Sequence, residues 1–77
     1  MKPSELKAGE IYAIWLKSLQ RKYFAKYLKK RRWDEYWFLW FDTTPPSEAW
    51  TYFDIVGNKI LRKATKKEIN DIMIDVL

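Results

Sequence analysis

The chain predicts a mainly β, α+β domain: a small barrel of four to five antiparallel strands with a C-terminal amphipathic helix. Three observations predict it. Runs of alternating apolar character recur between residues 10 and 63. Turn chemistry at Thr43-Thr44-Pro45-Pro46-Ser47 and at Gly57-Asn58 divides those runs. Thr65-Lys66-Lys67-Glu68 then opens a stretch of helical period.

Leu6 to Glu10 reads as a turn into a strand over about 10–16. Ile11, Ala13 and Trp15 fall on one face and Tyr12, Ile14 and Leu16 on the other. Both faces are apolar, so this strand is central or covered. A strand over 22–28 sets Tyr23, Ala25 and Tyr27 against Lys22, Lys26 and Lys30, which share their face with Phe24 and Leu28. A dense aromatic strand over 36–41 opposes Tyr36, Phe38 and Trp40 to Trp37, Leu39 and Phe41. Adjacent prolines make 43–47 a loop. A strand over 50–56 sets Trp50, Tyr52 and Asp54 against Thr51, Phe53 and Ile55. Gly57-Asn58 is a two-residue hairpin signal, from which 60–63 pairs back.

The helix spans about 66–77. Thr65 and Glu68 form a capping box, in which hydroxyl and carboxylate each satisfy a free backbone N–H. Ile69, Ile72, Met73, Val76 and Leu77 line one helical face. Short twisted strands in so small a chain curl toward a barrel, which removes exposed edges. An alternative stays open. No Gly, Pro or Asn interrupts residues 10 to 42, and Tyr12, Leu16, Leu19, Tyr23 and Tyr27 fit one helical face. A long N-terminal helix packed on a small sheet is the second reading. Ile14, Phe24 and Leu28 fall off that face and favour strands.

Residues 1–77 make one domain with a limited core. Five Trp, five Tyr and four Phe extend that core, since aromatics bury much area per residue. Cys and His are both absent. Disulfides are therefore excluded, as are the usual zinc ligands and the usual general base. Asp34 and Glu35 would point to opposite faces of a strand, a poor catalytic dyad. Asp71 and Asp75 share a helical face, but two carboxylates are not a hard-cation cage. With only Gly9 and Gly57, no phosphate loop can form. The expectation is a protein that is not an enzyme and uses no cofactor or metal. The polar start and the shortness of the apolar run Tyr36–Phe41 predict no membrane span and a cytoplasmic location.

Charge is sharply segregated. The net charge is +5, but residues 17–32 carry eight bases and no acid, while residues 33–58 carry five acids and no base. The basic block dominates the electric field. Arg21, Lys22, Lys26, Lys29, Lys30, Arg31 and Arg32 interleave there with Tyr23, Phe24, Tyr27 and Trp33. Lys and Arg suit phosphates, and aromatic faces suit unpaired bases, so DNA or RNA is one predicted partner. The same residues also fit a solvated edge strand around core tyrosines. The acidic aromatic half points elsewhere, because Trp is enriched at protein-interface hot spots. Trp33, Trp37 and Trp50 are the candidate anchors and Arg31 and Arg32 the steering charges. Opposed charge in the two halves also allows a homodimer.

The opening MKPSELKAGEIYAIW resembles the first strand of small SH3-like barrels. The stretch ILRKATKKEINDI is similar to the C-terminal ends of short proteins encoded by phages and mobile elements, through Arg62, Ala64, Thr65, Glu68 and Ile69. The resemblance covers the two ends of the chain and carries no catalytic residue. It implies a viral accessory protein of the host cytoplasm. On that footing the expected function is non-enzymatic binding to a host or defence-system protein as a modulator, in the sense of an inhibitor. Nucleic-acid binding through residues 17–32 is the alternative.

Overall fold

The computed structural model describes residues 1–32, 34–53 and 57–76, the last three of these as backbone. Strands β1 (Ile11–Leu16), β2 (Arg21–Arg31), β3 (Glu35–Trp40), β4 (Ser47–Thr51) and β5 (Lys59–Lys63) precede helix α1 (Lys66–Val76). Neighbouring strands are antiparallel, in the order β4-β3-β2-β1-β5. This is the mainly β architecture of the sequence reading, one open sheet plus a C-terminal helix, consistent with a small SH3-like α+β fold. Residues 11–16 and 21–31 are strands, which rejects the long N-terminal helix.

Alternation accounts for the core. Tyr12, Ile14, Ala25 and Phe38 are completely buried and cluster with Tyr36, Trp40, Phe53 and Ile60. The Phe38 ring lies 5.4 Å from Tyr27, 5.6 Å from Trp40 and 5.9 Å from Phe53, centroid to centroid. Polar tips inside this cluster find partners. The Tyr12 hydroxyl accepts the Lys7 backbone N–H at 2.9 Å, and the Trp40 indole N–H donates to the Ala49 carbonyl at 3.2 Å. Burial, with Tyr36 and Tyr12 nearby, pushes the Tyr27 phenol above its ordinary value. On the opposite face of β1, Ile11 and Ala13 are also buried, as its two-sided apolar pattern predicts.

Two expectations about the second half are corrected. β4 begins at Ser47, directly after the proline loop, and ends at Thr51, rather than covering 50–56; residues 54–56 lie outside the described residues. Gly57-Asn58 does not turn a hairpin back onto β4, because β5 pairs with β1. The reason is the free edge of β1, whose unpaired backbone N–H and C=O groups β5 satisfies, bringing Ile60 opposite Ile14 in the core. Gly57 still needs its φ of +77°, and a Cβ there would come within 2.7 Å of Lys17 Cδ. Asn58 acts through its side chain. Its Oδ1 accepts the Lys17 N–H at 3.0 Å, and its amide donates to Thr51 Oγ1 and the Tyr52 carbonyl, each at 3.0 Å. One side chain thus ties the end of β4 to the start of β5 across the open side of the sheet.

The capping box forms as predicted. The Thr65 N–H donates to Glu68 Oε1 at 2.8 Å, and the Glu68 N–H to Thr65 Oγ1 at 3.2 Å. Arg62 adds a two-pronged contact to the Glu68 carboxylate at 2.6 and 2.9 Å. That guanidinium, then the Thr65 N–H, hold the Glu68 carboxyl down to about 2. The final residue expected in the helix, Leu77, lies outside the described residues.

Candidate nucleic-acid interface

β2 is longer than the sequence suggests, running to Arg31, and it is not regular. Lys26 faces Leu39 and Tyr27 faces Phe38, but the next pair is Lys29 with Trp37. Leu28 is therefore an extra residue, a one-residue bulge. Because side chains alternate with a period of two, one extra residue exchanges the faces of everything beyond it. Lys29 and Arg31 consequently join Lys22 and Lys26 on the outward face, in register with Leu39, Trp37 and Glu35 of β3. Lys30 turns to the core side, with its Nζ 5.2 Å from the Tyr36 ring centroid. The expectation that Lys22, Lys26 and Lys30 share a face is thus wrong, and the bulge is why.

The outward row combines charge with aromatic rings. Lys22 Nζ sits 5.4 Å from the Phe24 ring, and Arg31 Cζ 5.9 Å from the Trp37 ring. Phe24, Trp37, Leu39 and Phe41 are half-buried. The Trp37 indole N–H donates to Glu35 Oε1 at 2.8 Å, which fixes its ring on this surface. Arg21 belongs to the inward register and lies 5.3 Å from the Tyr23 ring. At the start of β2 a cleft of about 310 Å³ opens between Arg21, Lys22, Phe24, Phe41, Asp42 and Ile72 of α1.

Among the other candidates, Trp50 shares this outward face through its register with Trp37, and Arg32 lies in the turn beyond β2. Trp50, opposite Trp37 on edge strand β4, is 45% exposed and packs against Tyr52 at 4.8 Å. Trp33 lies outside the described residues. Arg32 occupies the β2–β3 turn with a φ of 54°. Asp34, in the same turn, is only 8% exposed, and its Oδ2 has no hydrogen-bond partner among the described residues. Glu35 and Glu48 bring two carboxylates to the β3–β4 side of the outward face. The sequence reading names Phe24 among the rings of the basic block but passes over Leu28 as the residue that sets the phase. Among the described residues no group of three or more Asp or Glu could hold a metal ion, and no helix is long and apolar enough to cross a membrane.

No family model, curated protein or solved structure matches this chain.

Proposed function

We propose that the protein is a non-catalytic module that binds nucleic acid along the outward face of β2. The observation that carries this reading is the bulge at Leu28, which gathers Lys22, Lys26, Lys29 and Arg31 beside Phe24 and Trp37. Phosphates supply the complementary charge, and Lys and Arg bind them by displacing counterions. The test is titration of labelled oligonucleotides at several salt concentrations. Four such contacts give a log–log slope of about −3 on a single strand. Reversal of Lys26, Lys29 and Arg31 to Glu should abolish binding while leaving the circular dichroism spectrum intact. Salt-independent or absent binding defeats the reading.

A second reading rests on Trp50, exposed on an edge strand beside Glu48. Together with the phage-type resemblance around Arg62 and Thr65, it supports docking on a host or defence-system protein whose activity would be inhibited by occupancy. Capture from a nuclease-treated bacterial lysate, compared with Trp50→Ala, tests it. Loss of a specific partner in the folded variant supports this reading, and recovery of nucleic acid alone rejects it.

A further inference from the structure

We infer that the ligand of this face is a single strand, lying along β2 with unpaired bases stacked on the outward rings. The inference rests on the nucleic-acid reading above and specifies its substrate class.

The row alternates two kinds of contact. From Lys22 outward the order is cation, ring, cation, and beyond the bulge Lys29 and Arg31 flank Trp37 of β3. Outward positions on a strand recur about every 7 Å, so phosphate and base contacts are offered in close succession. A duplex can use only half of this. Its phosphates meet the lysines, but its bases are stacked on one another, and their faces are closed to Phe24 and Trp37. Unpaired bases expose faces that any aromatic ring can receive.

The amides and hydroxyls that help to read a duplex are missing, and of the cations that can read guanine, Lys22 and Arg31 are held against rings. The outward positions of β2 and β3 are Lys22, Phe24, Lys26, Lys29 and Arg31, with Glu35, Trp37 and Leu39 opposite. Asn, Gln, Ser and Thr are absent from this set, and these are side chains that read base edges in a groove. Arg31 lies against Trp37 instead. The face is therefore built to accept strands of varied sequence.

The acids give the strand a side. Glu35 and Glu48 lie toward β3 and β4, and both repel phosphate. The backbone is thereby confined to the lysines of β2, and the bases lean toward Trp37. At the other end, the cleft between Lys22, Phe24, Phe41 and Ile72 offers an aromatic wall and a cation to a terminal nucleotide, with Asp42 at its rim.

The experiment compares a labelled single-stranded DNA with the duplex of the same sequence at one salt concentration, using wild type, Trp37→Ala and Trp37→Phe. The expected result has three parts. The single strand binds at least tenfold tighter than the duplex. Trp37→Ala weakens single-strand binding roughly 5- to 150-fold, the range of a lost base–aromatic stack, without changing the salt slope. Trp37→Phe keeps most of the affinity. If Trp37→Ala melts below the assay temperature, Trp37→Leu takes its place, since it keeps bulk but removes the ring. Equal or tighter binding to the duplex overturns the inference and leaves the nucleic-acid reading standing, as does an alanine or leucine variant without effect. Binding at low salt to neither DNA, nor to a single-stranded RNA of the same sequence, overturns both.

Discussion

Trp37 and Phe38 are neighbours in the chain and belong to different regions of the molecule. Phe38 faces inward, is completely buried and touches rings from β2, β3 and the segment after β4. Trp37 faces outward, half-buried, under the guanidinium of Arg31. Lys29 and Lys30 repeat the division on β2, one outward beside Trp37 and the other inward beside Tyr36. The composition of the two faces is similar, rings mixed with cations, but their surroundings differ. Inside, the rings pack on each other and the cations stay at the rim. Outside, the rings are interleaved with the cations, and Ile72 of α1 lies against the end of the row. Aromatic content alone therefore does not tell core from contact surface; register does.

Truncation gives the sharpest way to break this contrast. Phe38→Ala should cost about 3–5 kcal/mol of stability, through lost transfer energy and the cavity left behind. Trp37→Ala should cost about 1 kcal/mol, because its site is open to water. Urea denaturation of both variants measures this. Equal losses would mean that the outward face is core as well.

Charge reversal tests the bulge directly. Lys29→Glu should weaken oligonucleotide binding roughly tenfold, and Lys30→Glu only by the general loss of net positive charge. A regular strand without the bulge reverses that order, so the pair of titrations decides the register.

The joint between β5 and α1 is separated from β2 by the whole of β1 and serves as a control. Thr65→Ala should destabilise by about 1 kcal/mol and leave oligonucleotide affinity unchanged. A change in affinity would draw the helix cap into the interface. The smallest effect is that of pH at the same joint. Glu68 is held at about 2 in the fold, below its ordinary 4.5. Its contribution is complete above the unfolded value and disappears as pH falls through the folded one. The stability gap between wild type and Glu68→Gln should therefore close between pH 4.5 and about 2, followed by urea midpoints. A gap constant over that range would mean that Arg62 contributes nothing to the cap.

Local chemistry was readable in the chain, and long-range pairing was not. The capping box depends on four consecutive residues whose side chains and backbone meet within one turn, so Thr65 and Glu68 announce it. The inward set Tyr12, Ile14, Ala25, Phe38 and Trp40 follows from simple alternation. The partner of β5 does not, because Gly57-Asn58 is equally compatible with a hairpin and with a corner, and only the unpaired edge of β1 decides between them. The bulge is hidden for another reason. Leu28 fits the outward pattern of a regular strand as well as it fits a bulge, and the choice is made by Trp37 and Phe38 across the ladder. As a result the basic block is visible as a block in the chain, but the four cations that share the outward face are not. Arg62 enters the sequence reading only through a resemblance, and its contact with the Glu68 carboxylate is what the fold adds.

The strand order also dictates a sequence of events in time. β1 to β4 form a meander in which every strand pairs with one close behind it in the chain, whereas β5 must return past all of them to reach β1. Contacts between distant segments close large loops and form more slowly than local ones. The meander is thus the early-folding part, and the arrival of Ile60 against Ile14, locked by Asn58 across the opening, is the late one. Pulse-labelled hydrogen exchange during refolding would show amides of β2 and β3 protected before those joining β1 to β5. The reverse order would mean that closure, rather than the meander, nucleates the fold.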